Sequence, residues 1–149
     1  MAQATAKNSI SKWVLGHKVT PYQTSGDYDM VMGETPPRVP GPPPHLHRGY
    51  EESFLVLEGE MEFMINGETK VARAGDLIDL PPNTVHSFNN NTDQSCKWVN
   101  IHSPKGFLNF FETLGIPDEE MDAAQRSTAP EVIQKVVTTA GDFDMIIQG

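Results

Sequence analysis

His45 and His47 are separated by one residue, Glu52 follows five places after His47, and His86 lies beyond a turn-rich stretch. Alternate residues of a strand share a face, so the two histidines point the same way, roughly 6.6 Å apart along the backbone. At that spacing both imidazoles can converge on one ion at about 2.1 Å. Phe54-Leu55-Val56-Leu57-Glu58 reads as a strand ending at Gly59, with Glu52 at its head. His86 follows Pro81-Pro82-Asn83, a turn that aims the next strand. A single histidine on a strand is usually structural or exposed. Three of them with a glutamate in this order predict one metal centre, His45, His47, Glu52 and His86, inside a small β-barrel. Three nitrogens and one oxygen suit a divalent ion of iron, manganese, nickel, cobalt or zinc.

The elements that must position these side chains are mostly short strands. Residues 1–10 read as a loose or docked tail. Trp13 to Tyr22 reads as one or two strands interrupted at Gly16 and Pro21, with His17 exposed. Thr24-Ser25-Gly26-Asp27 is a turn, and Tyr28 to Thr35 a strand. Pro36 to Pro44 is too rich in proline for a helix or a central strand. It reads as a stiff connection that delivers His45 in register. Asn66-Gly67 marks a type I′ hairpin between Met61–Ile65 and Thr69–Ala72. Leu77 to Leu80 is expected to be a short buried strand, and Val85 to Asn89 to carry His86 inward with Phe88 on the same face. Asn89 to Asp93 reads as a solvated turn. Lys97 to Ser103 is the last barrel strand, with His102 in a structural role and Cys96 a small strand residue. Phe54, Phe63 and Phe88 could wall a site for a planar aromatic ligand, or simply fill the barrel.

After Pro104 the pattern changes. Phe107, Leu108, Phe110, Phe111 and Leu114 recur at helical spacing before Gly115. A second helical turn is expected from Ile116 to Glu120, a third helix from Pro130 to Ala140, and an edge strand near Asp144 to Gln148. The expectation is an all-β fold with a small helical C-terminal part. It forms one domain over residues 1–149, with a barrel core at about 12–103 and a helical extension at about 104–149.

Read from His45, the chain gives His-x-His, four residues, Glu52, six residues, Gly59. This resembles the first motif of the cupin superfamily. From Gly75 it gives five residues, Pro81, Pro82, Asn83, two residues, His86, three residues, Asn90, which resembles the second. Val39 stands where the family's glycine precedes the first histidine, and Asn83 replaces the second motif's glycine. Asparagine tolerates positive φ better than most residues, so the turn can survive. Pro42-Pro43-Pro44-His45-Leu46-His47 and Ser103-Pro104-Lys105-Gly106-Phe107 are similar to small single-domain cupins related to quercetin dioxygenases. That resemblance implies a jelly-roll (double-stranded β-helix) barrel and one divalent metal held by His45, His47, Glu52 and His86. It also implies opening of a flavonol ring by O₂, with Glu52 both ligand and base, and a homodimer. Cupins host unrelated functions. A metal-dependent isomerase or lyase working without O₂, and a non-catalytic binder of metal or small ligand, stay beside the dioxygenase. A sugar-phosphate isomerase would want clustered cations at the barrel mouth, and only Arg48 lies near the motif.

Acidic residues outnumber basic ones, 20 to 11, for a formal charge of −9. With no basic block, nucleic acid and acidic membrane surfaces are poor partners. No apolar run approaches the ~18 residues of a membrane span. The first residues lack a secretory hydrophobic stretch, and Cys96 is the lone cysteine, so the expected compartment is the cytoplasm. If Glu52 faces inward, Leu55 and Leu57 face outward and need cover, which also points to a dimer.

Overall fold

The computed structural model describes Ala4 and residues 9–148; the expected tail at residues 1–10 falls largely outside them. The strands are β1 (Lys12–Val14), β2 (His17–Tyr22), β3 (Asp29–Thr35), β4 (His45–Leu46), β5 (Glu51–Glu58), β6 (Glu60–Ile65), β7 (Glu68–Arg73), β8 (Leu77–Leu80), β9 (His86–Asn89) and β10 (Cys96–Ser103). Helix α1 (Leu108–Leu114), strand β11 (Ile116–Pro117), helices α2 (Ala123–Arg126) and α3 (Pro130–Thr139), a 3₁₀ turn (Ala140–Phe143) and strand β12 (Ile146–Ile147) complete the chain.

Two antiparallel sheets face one another in a jelly-roll arrangement, as expected from the sequence. One has the order β11-β1-β2-β3-β10-β5-β8, the other β12-β4-β9-β6-β7. Period-2 alternation sets the inner face: β3 and β10 bury every second residue along their lengths. Between the sheets Phe54, Phe63, Phe88 and Trp98 form an aromatic cluster, with ring centroids 5.1–6.1 Å apart. Gly33 lies opposite Trp98, and a Cβ there would come within 2.2 Å of the indole. Asn66 and Gly67 both take positive φ in the β6–β7 turn, and Asn83 does so at 68° in the turn before β9.

The proline-rich segment runs over β9 as a strap. The amide of Asn90 donates to the Val39 carbonyl at 3.0 Å, and Ser87 Oγ to the Pro42 carbonyl at 2.6 Å. A Cβ on Gly41 would meet the Phe88 carbonyl oxygen at 1.5 Å, so only glycine lets the strap lie this close. Asn90 is buried rather than part of a solvated turn. Its amide donates to the carbonyls of Thr35, Pro36 and Gln94, pinning both ends of the strap's start.

Other expectations are corrected. His17 is buried, because alternation in β2 turns it inward with Val19 and Pro21. Pro21 lies within β2 without ending it. Leu77 is 62% exposed, and of β8 only Leu80 is buried. Ile116–Pro117 forms a strand where a helical turn was expected, because β1 offers an open edge to pair with. The helix expected there begins later, at Ala123. In the C-terminal part, Leu108, Phe110, Phe111, Leu114, Val136 and Met145 are buried in the same apolar core as the strands.

Candidate metal centre

Both sheets contribute to one cluster at the mouth between them. On the smaller sheet His45 lies directly opposite His86 across β4–β9, and Ile147 of β12 flanks His45 on the other side. On the larger sheet Glu52 of β5 lies opposite His102 of β10. His47 follows β4, so it and His45 point the same way. All five side chains are buried.

Three of the imidazoles are held through Nδ1. That atom donates to the Pro43 carbonyl in His45 (2.9 Å), to the Asp144 carbonyl in His47 (2.7 Å) and to the Thr84 carbonyl in His86 (2.9 Å). A carbonyl can only accept, so Nδ1 carries the proton and a neutral ring presents a lone pair at Nε2. The Nε2 atoms of His47 and His86, together with that of His102, lie against the Glu52 carboxylate. Its Oε1 lies 3.3 Å from His47 Nε2 and 2.8 Å from His86 Nε2, and its Oε2 lies 3.2 Å from His102 Nε2. Despite the distances, Oε1 and the Nε2 atoms of His47, His86 and His102 have no hydrogen-bond partner. Buried lone pairs facing a carboxylate are costly unless a cation sits among them. Both His45, His47, His86 and His47, Glu52, His102 have donor atoms within 4.8 Å of one another. The donor set fits a metal ion.

Electrostatics point the same way. Burial pushes Glu52 up, but the charge of His102 and contacts with His102, His47 and His86 outweigh it and hold the carboxyl well below its usual range. Asn100 Nδ2 also donates to Glu52 Oε2 at 2.9 Å. Burial, reinforced by His86, lowers His45 to about 3. His86 loses from burial and gains more from Glu52, and ends raised.

The cluster lines one wall of a cavity of about 60 Å³, room for roughly two waters at ~30 Å³ each. Phe54, Phe88 and Trp98 form its floor, and Phe107, Phe110 and Phe111 cover it. The structure therefore brings His45, His47, Glu52 and His86 together and sets Phe54 and Phe88 on the cavity. Phe63 lies behind them, fully buried and off the lining.

Sequence reasoning missed several residues here. His102, read as structural, faces the Glu52 carboxylate; inward parity along Trp98, Asn100 and His102 was the available signal. Asp144 carries the carbonyl that orients His47, and its carboxylate accepts from the amides of Arg48 and Gly49 at 2.7–3.0 Å. His17 also lines the cavity. Trp98 Nε1 donates to Thr35 Oγ1 at 3.0 Å, and Thr35 Oγ1 lies 2.9 Å from His17 Nδ1.

Burial lowers His17 to about 4 from 6.5. The unfolded chain takes up this proton near 6.5 and the folded chain resists it until about 4, so the contribution to stability is full above 6.5. It is lost as pH falls through that window, to the extent of about 3 kcal/mol. Urea unfolding of the metal-free protein between pH 7 and 4 should show this slope added to that of His45, and a His17→Leu variant should make it shallower. Equal slopes in the two proteins would remove His17 as the cause.

Residues 31–102 match the family model described as Cupin domain (Cupin_2). Over 107 residues the chain is 34% identical to quercetin 2,3-dioxygenase of Bacillus subtilis (strain 168), a match covering 69% of this chain and 31% of that protein. A cupin 2 conserved barrel domain protein from Salinispora arenicola CNS-205 superposes with a TM-score of 0.61 at 18% identity, over 74% of this chain and 98% of the other. A sugar phosphate isomerase of the cupin superfamily from Silicibacter pomeroyi DSS-3 superposes with a TM-score of 0.56 at 17% identity, over 61% of each chain. The two structural likenesses bear on the fold alone. The chain spans less than half the length of the curated relatives it matches, 31% and 43%.

Proposed function

The chain belongs to the cupin superfamily, and from that premise we propose that it is a metal-dependent dioxygenase acting on an enol or phenolic small molecule of flavonol type. The observation that carries the reading is the buried Glu52 carboxylate among the imidazoles of His47, His86 and His102 at the wall of an aromatic cavity. The likeness to a quercetin 2,3-dioxygenase supports it. His45, His47, Glu52 and His86 would hold one divalent ion of iron, manganese, nickel, cobalt or zinc. Bound there, such an ion supplies Lewis acidity that loosens an enol or phenol proton.

The chain's own residues do the rest. Glu52 accepts the substrate hydroxyl proton at Oε1, since Oε2 is engaged by Asn100. A carboxyl held well below its usual range is a weak base, suited to an acidic enol and not to an aliphatic alcohol. Phe54, Phe88 and Trp98 offer an apolar aromatic floor. Among the described residues the lining contains no lysine or arginine, which counts against a phosphorylated sugar. At about 60 Å³ the cavity is far below the ~300–1,000 Å³ of a typical ligand site. A flavonol enters only if the aromatic cover on α1 moves aside.

The test is an oxygen-electrode screen of flavonols, diketones and catechols with metal-free protein reloaded with Fe, Mn, Ni, Co or Zn. Oxygen uptake coupled to substrate loss is expected. Product without oxygen uptake would put an isomerase or lyase in its place, and binding without turnover would leave a ligand-binding cupin.

The same reading includes a homodimer. Leu55 and Leu77, directly paired on β5–β8, are 37% and 62% exposed, and Leu57 beside them is 39% exposed. These outward leucines make an apolar face on the larger sheet that a second copy can cover. Light scattering should give twice 16.5 kDa. Leu55→Lys with Leu77→Lys should halve that mass, and a wild-type monomer across a wide concentration range would defeat the assignment.

A further inference from the structure

We propose that His102 is itself a metal donor, so that the centre binds its ion through His47, Glu52 and His102 as well as through the His45, His47, His86 set. This rests on the metal-binding reading above. The two three-residue sets share His47, and Glu52 reaches both through its two oxygens, Oε1 toward His47 and His86 and Oε2 toward His102.

His102 Nε2 is fully buried and has no hydrogen-bond partner, although Glu52 Oε2 is 3.2 Å away. Oε2 accepts from Asn100 at 2.9 Å, while the neighbouring His102 nitrogen makes no such bond. Its donor atom instead lies within 4.8 Å of those of His47 and Glu52, close enough for the three to share one ion. The ring is fixed in that pose. It stacks on Phe107 at 4.3 Å with 22° between planes, and Tyr50 meets it edge-on at 5.8 Å. In register it is flanked by Glu52 on β5 and Asp29 on β3. Leaving such an imidazole without a partner in the core costs a desolvated polar atom, and an ion removes that cost.

The experiment uses full-length protein with ¹⁵N-histidine, loaded with Co(II). Metal analysis comes first: a chain that takes up no cobalt overturns the metal reading and this proposal together. With cobalt bound, NMR should show His45, His47, His86 and His102 as strongly shifted spin systems. His17, which lines the same cavity but belongs to neither donor set, serves as the reference ring. An unshifted or weakly shifted His102 overturns the proposal while leaving the metal reading intact. His102→Gln keeps an amide donor toward Glu52, so a bracing role would be rescued. A ligand role predicts a fall in cobalt affinity of about 10-fold or more and a change in the Co(II) visible spectrum. Unchanged affinity and spectrum in that variant count against the proposal. The wild-type spectrum decides even if the variant does not fold.

Discussion

Glu52→Gln is expected to keep part of its metal affinity and to lose turnover by about 10²–10⁴-fold, the range for a lost general base. Glutamine keeps the shape and one carbonyl oxygen, but not the charge or the basicity. The site is built around that charge: Oε1 lies within 3.3 Å of two Nε2 atoms that carry lone pairs. Removing it therefore weakens the ion as well as the base, and the informative quantity is activity per bound metal. A fall in that ratio identifies Glu52 as a base, and a constant ratio makes it a ligand only. Glu51→Gln is the control, because Glu51 is exposed and points to the opposite face of β5. If Glu51→Gln abolished metal binding while Glu52→Gln preserved it, the ligand assignment would fail.

How much of this centre could be read from the chain depends on how local each relation is. His45 and His47 alternate as strand residues do, and Glu52 and His86 fall at the spacing of the two motifs, so these four were legible. Asn83 was legible too, since a turn needing positive φ narrows the residue choice to a few. His102 was half-legible. Parity puts it inward, but only the β5–β10 register shows that its partner is Glu52. His17 was misread because a six-residue strand beginning after a glycine turn gave too little pattern to fix which face is buried. The strand at Ile116–Pro117 was read as a helical turn because acids after a proline suit a helix start, whereas pairing with β1 decides the outcome. Phe63 is the register partner of Phe88 on the neighbouring strand β6 yet lies off the cavity, a difference that no single strand's sequence encodes. Asp144 was out of reach altogether, as its contact with His47 spans 97 residues.

That last contact makes the C-terminal segment part of the centre. Ending the chain after Phe143 should lower metal affinity by about 10–100-fold, the usual cost of losing a partner that orients a ligand histidine. The Asp144 carbonyl fixes the proton of His47 on Nδ1 and so turns its Nε2 lone pair inward. Without it the ring is free to rotate, and its tautomer is no longer set. The same cut removes the β12 pairing opposite His45, the Gln148 amide that donates to the Pro44 carbonyl at 2.9 Å, and Met145 from the apolar core. Losing that buried methionine alone costs about 2–5 kcal/mol, so stability should fall along with affinity. The two losses are separable. Met145→Ala should destabilise the fold with little effect on metal affinity once folded protein is selected. Asp144→Ala keeps the backbone carbonyl but frees the Arg48 and Gly49 amides, and should give a smaller loss of affinity than truncation. Calorimetric titration of zinc into the three proteins, beside their thermal unfolding, measures both. A truncated chain that binds zinc as tightly as the full one would show that His47 needs no help from the C terminus.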